Sequence, residues 1–181
     1  MKKIEFIKLA IKDHKVGALA ASSKYTARRI VKLLEPEHKF IIEYGAGGGI
    51  ITKKILKRLP SDGKLKALEL NKGFIPELQK ISDHRLEIIN EDVAIFSQKL
   101  SKLGLPRIDA VISGIPFSFL KPGQRQEVIK NTYNSLATGG IFLIYQHSPL
   151  VLPILKKYFT IIECKFEPRN FLPYFIMRAK K

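Results

Sequence analysis

The chain has 181 residues, 45% of them hydrophobic, and carries 32 Lys and Arg against 16 Asp and Glu, a formal net charge of +16. That length holds one sizeable core rather than two, and no run reaches the ~18 apolar residues of a membrane span. The lone Cys164 excludes an intrachain disulfide and a cysteine-rich metal site. The excess of positive charge implies an anionic partner, either nucleic acid or an acidic membrane surface.

Two helical segments come first, over residues 2–13 and 24–34. On a wheel of about 100° per residue, Ile4, Phe6, Ile7, Ala10 and Ile11 share a broad face, opposite Lys8, Lys12 and Lys15. A basic amphipathic helix of this kind suits an anionic membrane interface, and its lysines would equally suit RNA phosphates. Lys24, Arg28, Arg29 and Lys32 extend the positive surface. The N-terminus is basic but has no cleavable apolar region, so a cytoplasmic protein, peripherally attached to a membrane, is expected. Residues 1–35 are read as an N-terminal helical segment and 36–181 as the main domain.

From residue 40 onward, strands alternate with helices. FIIEYG (40–45) is a strand, and 50–59 is a helix stopped by Pro60 and Gly63. KLKALEL (64–70) and RLEIIN (85–90) are strands on either side of a short helix over 74–81. A helix over 94–103 leads to the strand IDAVIS (108–113). A helix over 123–136 is closed by ATGG (137–140) before the strand IFLIYQ (141–146). A helix over 150–158 precedes a closing strand pair, TIIECKFE and FLPYFIMRA. Such alternation predicts an α/β fold with a mostly parallel sheet and helices on both faces. The histidines, His14, His38, His84 and His147, lack ligand spacing, so no metal is expected. Nothing in the sequence argues for an oligomer, and a monomer is expected.

The strongest chemical signal is EYGAGGGI (43–50), between the first strand and its helix. Glycines there remove side chains that would block a bound group, and the helix start offers backbone donors. Glu69 closes the second strand, where a carboxylate can accept both hydroxyls of a ribose. Asp92 follows the third strand, where it can cap the next helix or accept from an adenine amino group.

The pattern Glu43-x-Gly45-x-Gly47-x-Gly49, with an acid ending the next strand, resembles the class I S-adenosylmethionine-dependent methyltransferases. The resemblance implies a Rossmann-like, seven-stranded, mostly parallel sheet with an antiparallel final strand, and S-adenosyl-L-methionine as cofactor. It places Gly45, Ala46, Gly47 and Gly49 against the methionine and ribose. Glu69, with Leu70 beside it, would hold the ribose. Asp92 and Val93 would lie at the adenine, and Glu43 would order the loop or reach the methionine ammonium. Ser113 would lie beside the methyl group.

The stretch SGIPFSFL (113–120) then falls at the reaction centre. Enzymes that methylate the amino groups of bases resemble it, with an Asn where this chain has Ser113 and an aromatic residue where it has Phe117. A second family shares more. GALAASSKYTARRI (17–30), the Ser113-Gly114-Ile115-Pro116 turn and Arg169-Asn170-Phe171-Leu172-Pro173 together resemble the bacterial phospholipid N-methyltransferases. That resemblance implies methylation of a phospholipid with a primary amine head group, phosphatidylethanolamine, at the membrane; the alternative is an RNA adenine N6-methyltransferase. Ile115 and Phe117 would wall the site against water. Tyr25, His147 and the Ser113 region are candidates to grip or deprotonate the amine. Arg169 and Asn170 are candidates for the lipid phosphate or for bracing the turn.

Overall fold

In the computed structural model, which describes residues 24–100, 107–168 and 173–181, the apolar runs become the strands of one sheet. They are β1 (Phe40–Tyr44), β2 (Lys64–Leu68), β3 (Leu86–Ile89), β4 (Ile108–Ser113), β5 (Leu136–Gln146), β6 (Ile161–Glu167) and β7 (Tyr174–Lys180). Their order across the sheet is β3-β2-β1-β4-β5-β7-β6. The strands from β3 to β5 pair in parallel, and β7 runs antiparallel to both β5 and β6. The expected parallel sheet with a reversed last strand is therefore present.

β1 is buried at every position and β4 at all but one, as strands covered on both faces must be. Side chains still alternate between the faces. Ile41, Ala110, Ile112 and Leu143 pack under α1 (Lys24–Lys32) and α2 (Ile50–Leu56). Ile42, Tyr44, Val111 and Phe142 pack under α4 (Val93–Lys99), α5 (Pro122–Ser135) and α6 (Leu152–Leu155). A 3-10 turn (Lys72–Phe74) and α3 (Ile75–Gln79) complete the crossover from β2 to β3.

Local chemistry sets the helices. In α1 the buried apolar residues are Ala27, Ile30 and Val31, with Leu34 just beyond, an i, i+3, i+4, i+7 stripe beside the buried Thr26, while Arg28 and Lys32 stay exposed. The helix is thus an integral part of the core. Asp92 caps α4 by accepting from the Ala94 amide at 2.7 Å. Pro122 sits in the first turn of α5, where its missing N–H costs nothing.

Several boundaries differ from expectation. The helix expected over 74–81 splits into a 3-10 turn and α3, and that expected over 150–158 shrinks to Leu152–Leu155. ATGG does not close a helix: β5 starts at Leu136 and passes through it. Gly139 takes a φ of 81° there, and the pairing with β4 shifts register between Ile108 and Ala110. No helix among the described residues is long and apolar enough to cross a membrane. The amphipathic segment 2–13, Arg169 and Asn170 lie outside the described residues.

Candidate active site

At the C-terminal edge of the parallel strands, the chain leaves β1 through the glycine loop. Gly45, Gly47 and Gly49 have φ values of 78°, 53° and 78°, in the left-handed region that residues with a Cβ avoid. The Gly45 and Ala46 amides both donate to the Leu68 carbonyl at 2.9 Å, which ties the loop to the end of β2. A Cβ on Gly45 would lie 2.9 Å from Ile115 Cγ2, so the missing side chain lets the loop touch the turn after β4. Added Cβ atoms on Gly47 and Gly48 would meet nothing within 4 Å, leaving the loop crest open to a ligand.

Glu69, half-buried, accepts from the Gly47 amide through Oε2 at 2.7 Å and from the Asn71 amide through Oε1 at 2.8 Å. A carboxylate offers about four lone-pair directions. Two remain, enough for a pair of vicinal hydroxyls. Asn90 Nδ2 donates to the carbonyls of Glu69 and Leu70 at 2.7 and 3.1 Å, fixing the β2 end against that of β3. Leu70 stands 61% exposed beside it, an apolar cover for a flat ring. Val93 is buried behind Asp92.

Glu43 lies beneath the loop with no exposure. Its Oε2 accepts from Thr52 Oγ1 at 2.6 Å, and its Oε1 has no hydrogen-bond partner. Burial pushes the carboxyl up to about 7; the Thr52 hydrogen bond opposes that shift and the charge of Glu69 adds to it. A buried acceptor without a donor is costly, and a positively charged ligand at the loop would relieve it. The open crest, the Glu69 diol site and an orphaned acid, in a loop (45–49) with no Lys or Arg for a phosphate, fit a cationic nucleoside such as S-adenosylmethionine.

The acceptor side is assembled from β4, β5 and β7. Ser113 ends β4 fully buried, its Oγ without a partner. A Cβ on Gly114 would fall 2.0 Å from the Tyr145 hydroxyl, so the phenol occupies the space a side chain would take. Tyr145 meets Tyr174 edge-on, with centroids 5.7 Å apart at 90°. Tyr174 in turn stacks on His147 at 4.3 Å and 18°. His147 Nδ1 lies 2.9 Å from the Pro173 carbonyl. Gln146 braces the group: its Oε1 accepts from the Phe117 amide at 3.3 Å and its Nε2 donates to the Ser148 carbonyl at 2.6 Å.

The two expected wall residues part company. Ile115 is half-buried and touches the glycine loop. Phe117 has no exposure and belongs to the core with Tyr44, Val128 and Phe142. The cause is local: after Pro116 the chain enters a 3-10 turn (Phe117–Phe119) that swings the ring inward. Arg125 Nε locks that turn through the Phe117 and Leu120 carbonyls at 2.8 and 2.9 Å. Tyr25 is 57% exposed at the start of α1. One turn on, Arg29 Nη1 pairs at 2.7 Å with the buried Glu167, which lies opposite Tyr174 in the β6–β7 register. That pair brings the start of α1 to the same sheet edge. Thr52, Tyr145, Gln146 and Tyr174 were absent from the sequence-based expectations. Tyr145, Gln146 and Tyr174 are signalled only as polar or aromatic residues at the ends of apolar strands, and Thr52 only as a hydroxyl in the first turn of α2.

The sheet order, the loop and its two strand-end acids define a class I S-adenosylmethionine-dependent methyltransferase. Residues 20–142 match the family model described as ribosomal RNA adenine dimethylase. Ornithine lipid N-methyltransferase of Singulisphaera acidiphila is 31% identical over 174 residues, covering 92% of this chain and 90% of that protein. Among solved structures, precorrin-6y C5,15-methyltransferase of Geobacter metallireducens superposes with a TM-score of 0.71 at 19% identity, over 90% of this chain and 92% of that one. The N-methyltransferase NodS of Bradyrhizobium japonicum gives 0.71 at 13% identity, over 87% and 95%. The chain belongs to the ribosomal RNA adenine dimethylase family of methyltransferases, and is homologous over nearly its whole length to a lipid N-methyltransferase. Its cofactor is S-adenosyl-L-methionine.

Proposed function

We propose that this enzyme methylates the primary amine head group of a phospholipid, phosphatidylethanolamine, while resting as a monomer on an anionic membrane surface on the cytoplasmic side. The observation that carries the reading is the similarity, along 92% of the chain, to a protein named for N-methylation of a lipid. Two features of the acceptor side support it. Ser113 stands where base-methylating relatives have Asn, and Phe117 is buried away from any base that would stack on it. Cationic Arg28, Lys32 and Lys53 are exposed on α1 and α2, whose sequences contain no acid, and Lys57 is exposed just past the end of α2. They suit acidic lipid head groups.

In this reading the bound cofactor supplies an electrophilic methyl group on sulfur. Glu43, the glycine loop, Glu69, Leu70, Asp92 and Val93 hold it. Ser113 and Ile115 shape the opening through which the amine approaches, and Tyr25 covers it from α1. Arg169 and Asn170 are assigned to the head-group phosphate. The second reading, methylation of an RNA adenine, is favoured by the family match over residues 20–142.

The test offers labelled S-adenosylmethionine with three acceptors: phosphatidylethanolamine in anionic vesicles, ornithine lipid in the same vesicles, and undermodified ribosomal RNA. Label in phosphatidylethanolamine supports the proposal. Label in ornithine lipid alone moves the acceptor to an amino-acid lipid. Label in RNA alone overturns the lipid reading.

A further inference from the structure

A primary alkyl ammonium ionises near pH 10, so a lipid amine reaching the site at neutral pH carries a proton that must leave before nitrogen can attack. The reading above therefore requires a proton acceptor at the acceptor side. Ser113 carries a hydroxyl and Tyr145 and Tyr174 carry phenols, whereas an imidazole offers a basic nitrogen lone pair. His147 is the described residue there with a suitable base, and its surroundings determine which nitrogen is available.

The Pro173 carbonyl can only accept a hydrogen bond. His147 Nδ1, 2.9 Å away, must therefore be the protonated nitrogen. In the neutral ring Nε2 then keeps its lone pair. The ring is exposed, so that lone pair is accessible, and its plane is held by the stack on Tyr174 at 4.3 Å. Tyr174 is buried and meets Tyr145 edge-on, and the Tyr145 hydroxyl fills the space beside Gly114. A continuous chain of contacts thus runs from the turn beside the glycine loop to the imidazole. On the other side, Gln146 bridges Phe117 and Ser148 and holds the backbone before and after the histidine.

We infer that His147, fixed as its Nδ1–H tautomer by the Pro173 carbonyl and the Tyr174 ring, is the catalytic base that takes the ammonium proton of the acceptor through Nε2. The N–H bond of the ammonium breaks, its electron pair stays on nitrogen, and the proton passes to Nε2 and then to water. Tyr174 is a positioning residue, acting through the imidazole. Among the described residues, the titratable or charged groups nearest Tyr174 across β6 are the Glu167–Arg29 ion pair, with Lys165 two residues further along that strand.

The experiment has two arms. The first measures the side-chain nitrogen chemical shifts of His147 in the intact protein. A protonated Nδ1 and a bare Nε2 are expected, and a protonated Nε2 overturns the inference whatever the enzyme acts on. Tyr174→Leu should lower the Nδ1–H population and Tyr174→Phe should largely keep it; no change in Tyr174→Leu overturns the positioning role. The second arm follows methyl transfer to phosphatidylethanolamine vesicles against pH. His147→Gln should be slower by about 100-fold at pH 7. The gap should close to under about tenfold near pH 10, where the amine sheds its own proton. A loss equal at all pH values, or no loss, overturns the inference. If wild-type enzyme labels RNA alone, the lipid reading fails and the proton acceptor fails with it, because an adenine amine brings no ammonium proton.

Discussion

On the donor side of the sheet edge, at the ends of β1, β2 and β3, the proposed binding groups are the backbone amides and glycines of one five-residue loop and strand-end acids, of which Glu69 is hydrogen-bonded to that loop. On the acceptor side, at the ends of β4 and β5 and the start of β7, they are the rings of Tyr145 and His147, from one strand end, and of Tyr174, brought from a distant part of the chain. The donor side is built by local turns, which demand particular residues at particular spacings. The acceptor side is built by tertiary packing, which demands only that rings fit. The two meet where Gly45 touches Ile115. The contrast teaches that one face of the edge is specified by backbone conformation and the other by side-chain shape.

The largest effect expected from testing this division falls on the donor side. Glu69→Ala removes the acceptor for the Gly47 and Asn71 amides and, with them, the proposed diol site. Charge-assisted hydrogen bonds are worth about 1.5–3 kcal/mol each. The dissociation constant of S-adenosylmethionine, by calorimetry, should rise on the order of 100-fold or more. The His147 nitrogen shifts should stay unchanged; movement there would show that the two sides are one unit.

Next comes the pH dependence of stability at Glu43. Its carboxyl is raised in the folded protein from 4.5 to about 7, so its contribution to stability is fully present below 4.5 and is lost as pH rises through about 7. At about 1.4 kcal/mol per tenfold, that loss is at most roughly 3 kcal/mol. Chemical denaturation of unliganded wild type should show a decline across this window that Glu43→Gln lacks. Cofactor affinity should strengthen with rising pH over the same range, as the ionised acid meets the cationic ligand. A flat difference between the two proteins would remove Glu43 from the donor side's electrostatics.

The smallest effect concerns Phe117. As a core residue, Phe117→Leu should cost about 1–1.5 kcal/mol in unfolding free energy and leave the KM for the acceptor unchanged. A several-fold rise in that KM without loss of stability would return the ring to the acceptor wall.

Much of the fold and the conformation of the glycine loop were legible in the sequence, because period and glycine spacing are local signals. FIIEYG and IDAVIS read as buried strands, and they are. The left-handed φ values at Gly45, Gly47 and Gly49 are the conformational reason for the motif itself. The rest depended on contacts no local pattern carries. Phe117 followed a proline in a turn and read as a site residue, but a one-turn 3-10 segment points it into the core. Tyr174 sat in a closing strand, and nothing along the chain announced that it would lie under His147. ATGG read as the close of the preceding helix, whereas here the strand bends through it.

The reversal of β7 has a further consequence. In a wholly parallel sheet, each strand presents its exit to the catalytic edge, so new function comes from the loops that follow strands. Because β7 runs the other way, its entrance, Pro173 and Tyr174, arrives at that edge, carried by the connection from β6. A single inverted strand thereby brings a chain entrance, with the Tyr174 ring at its start, to an edge that the parallel strands reach only by their exits.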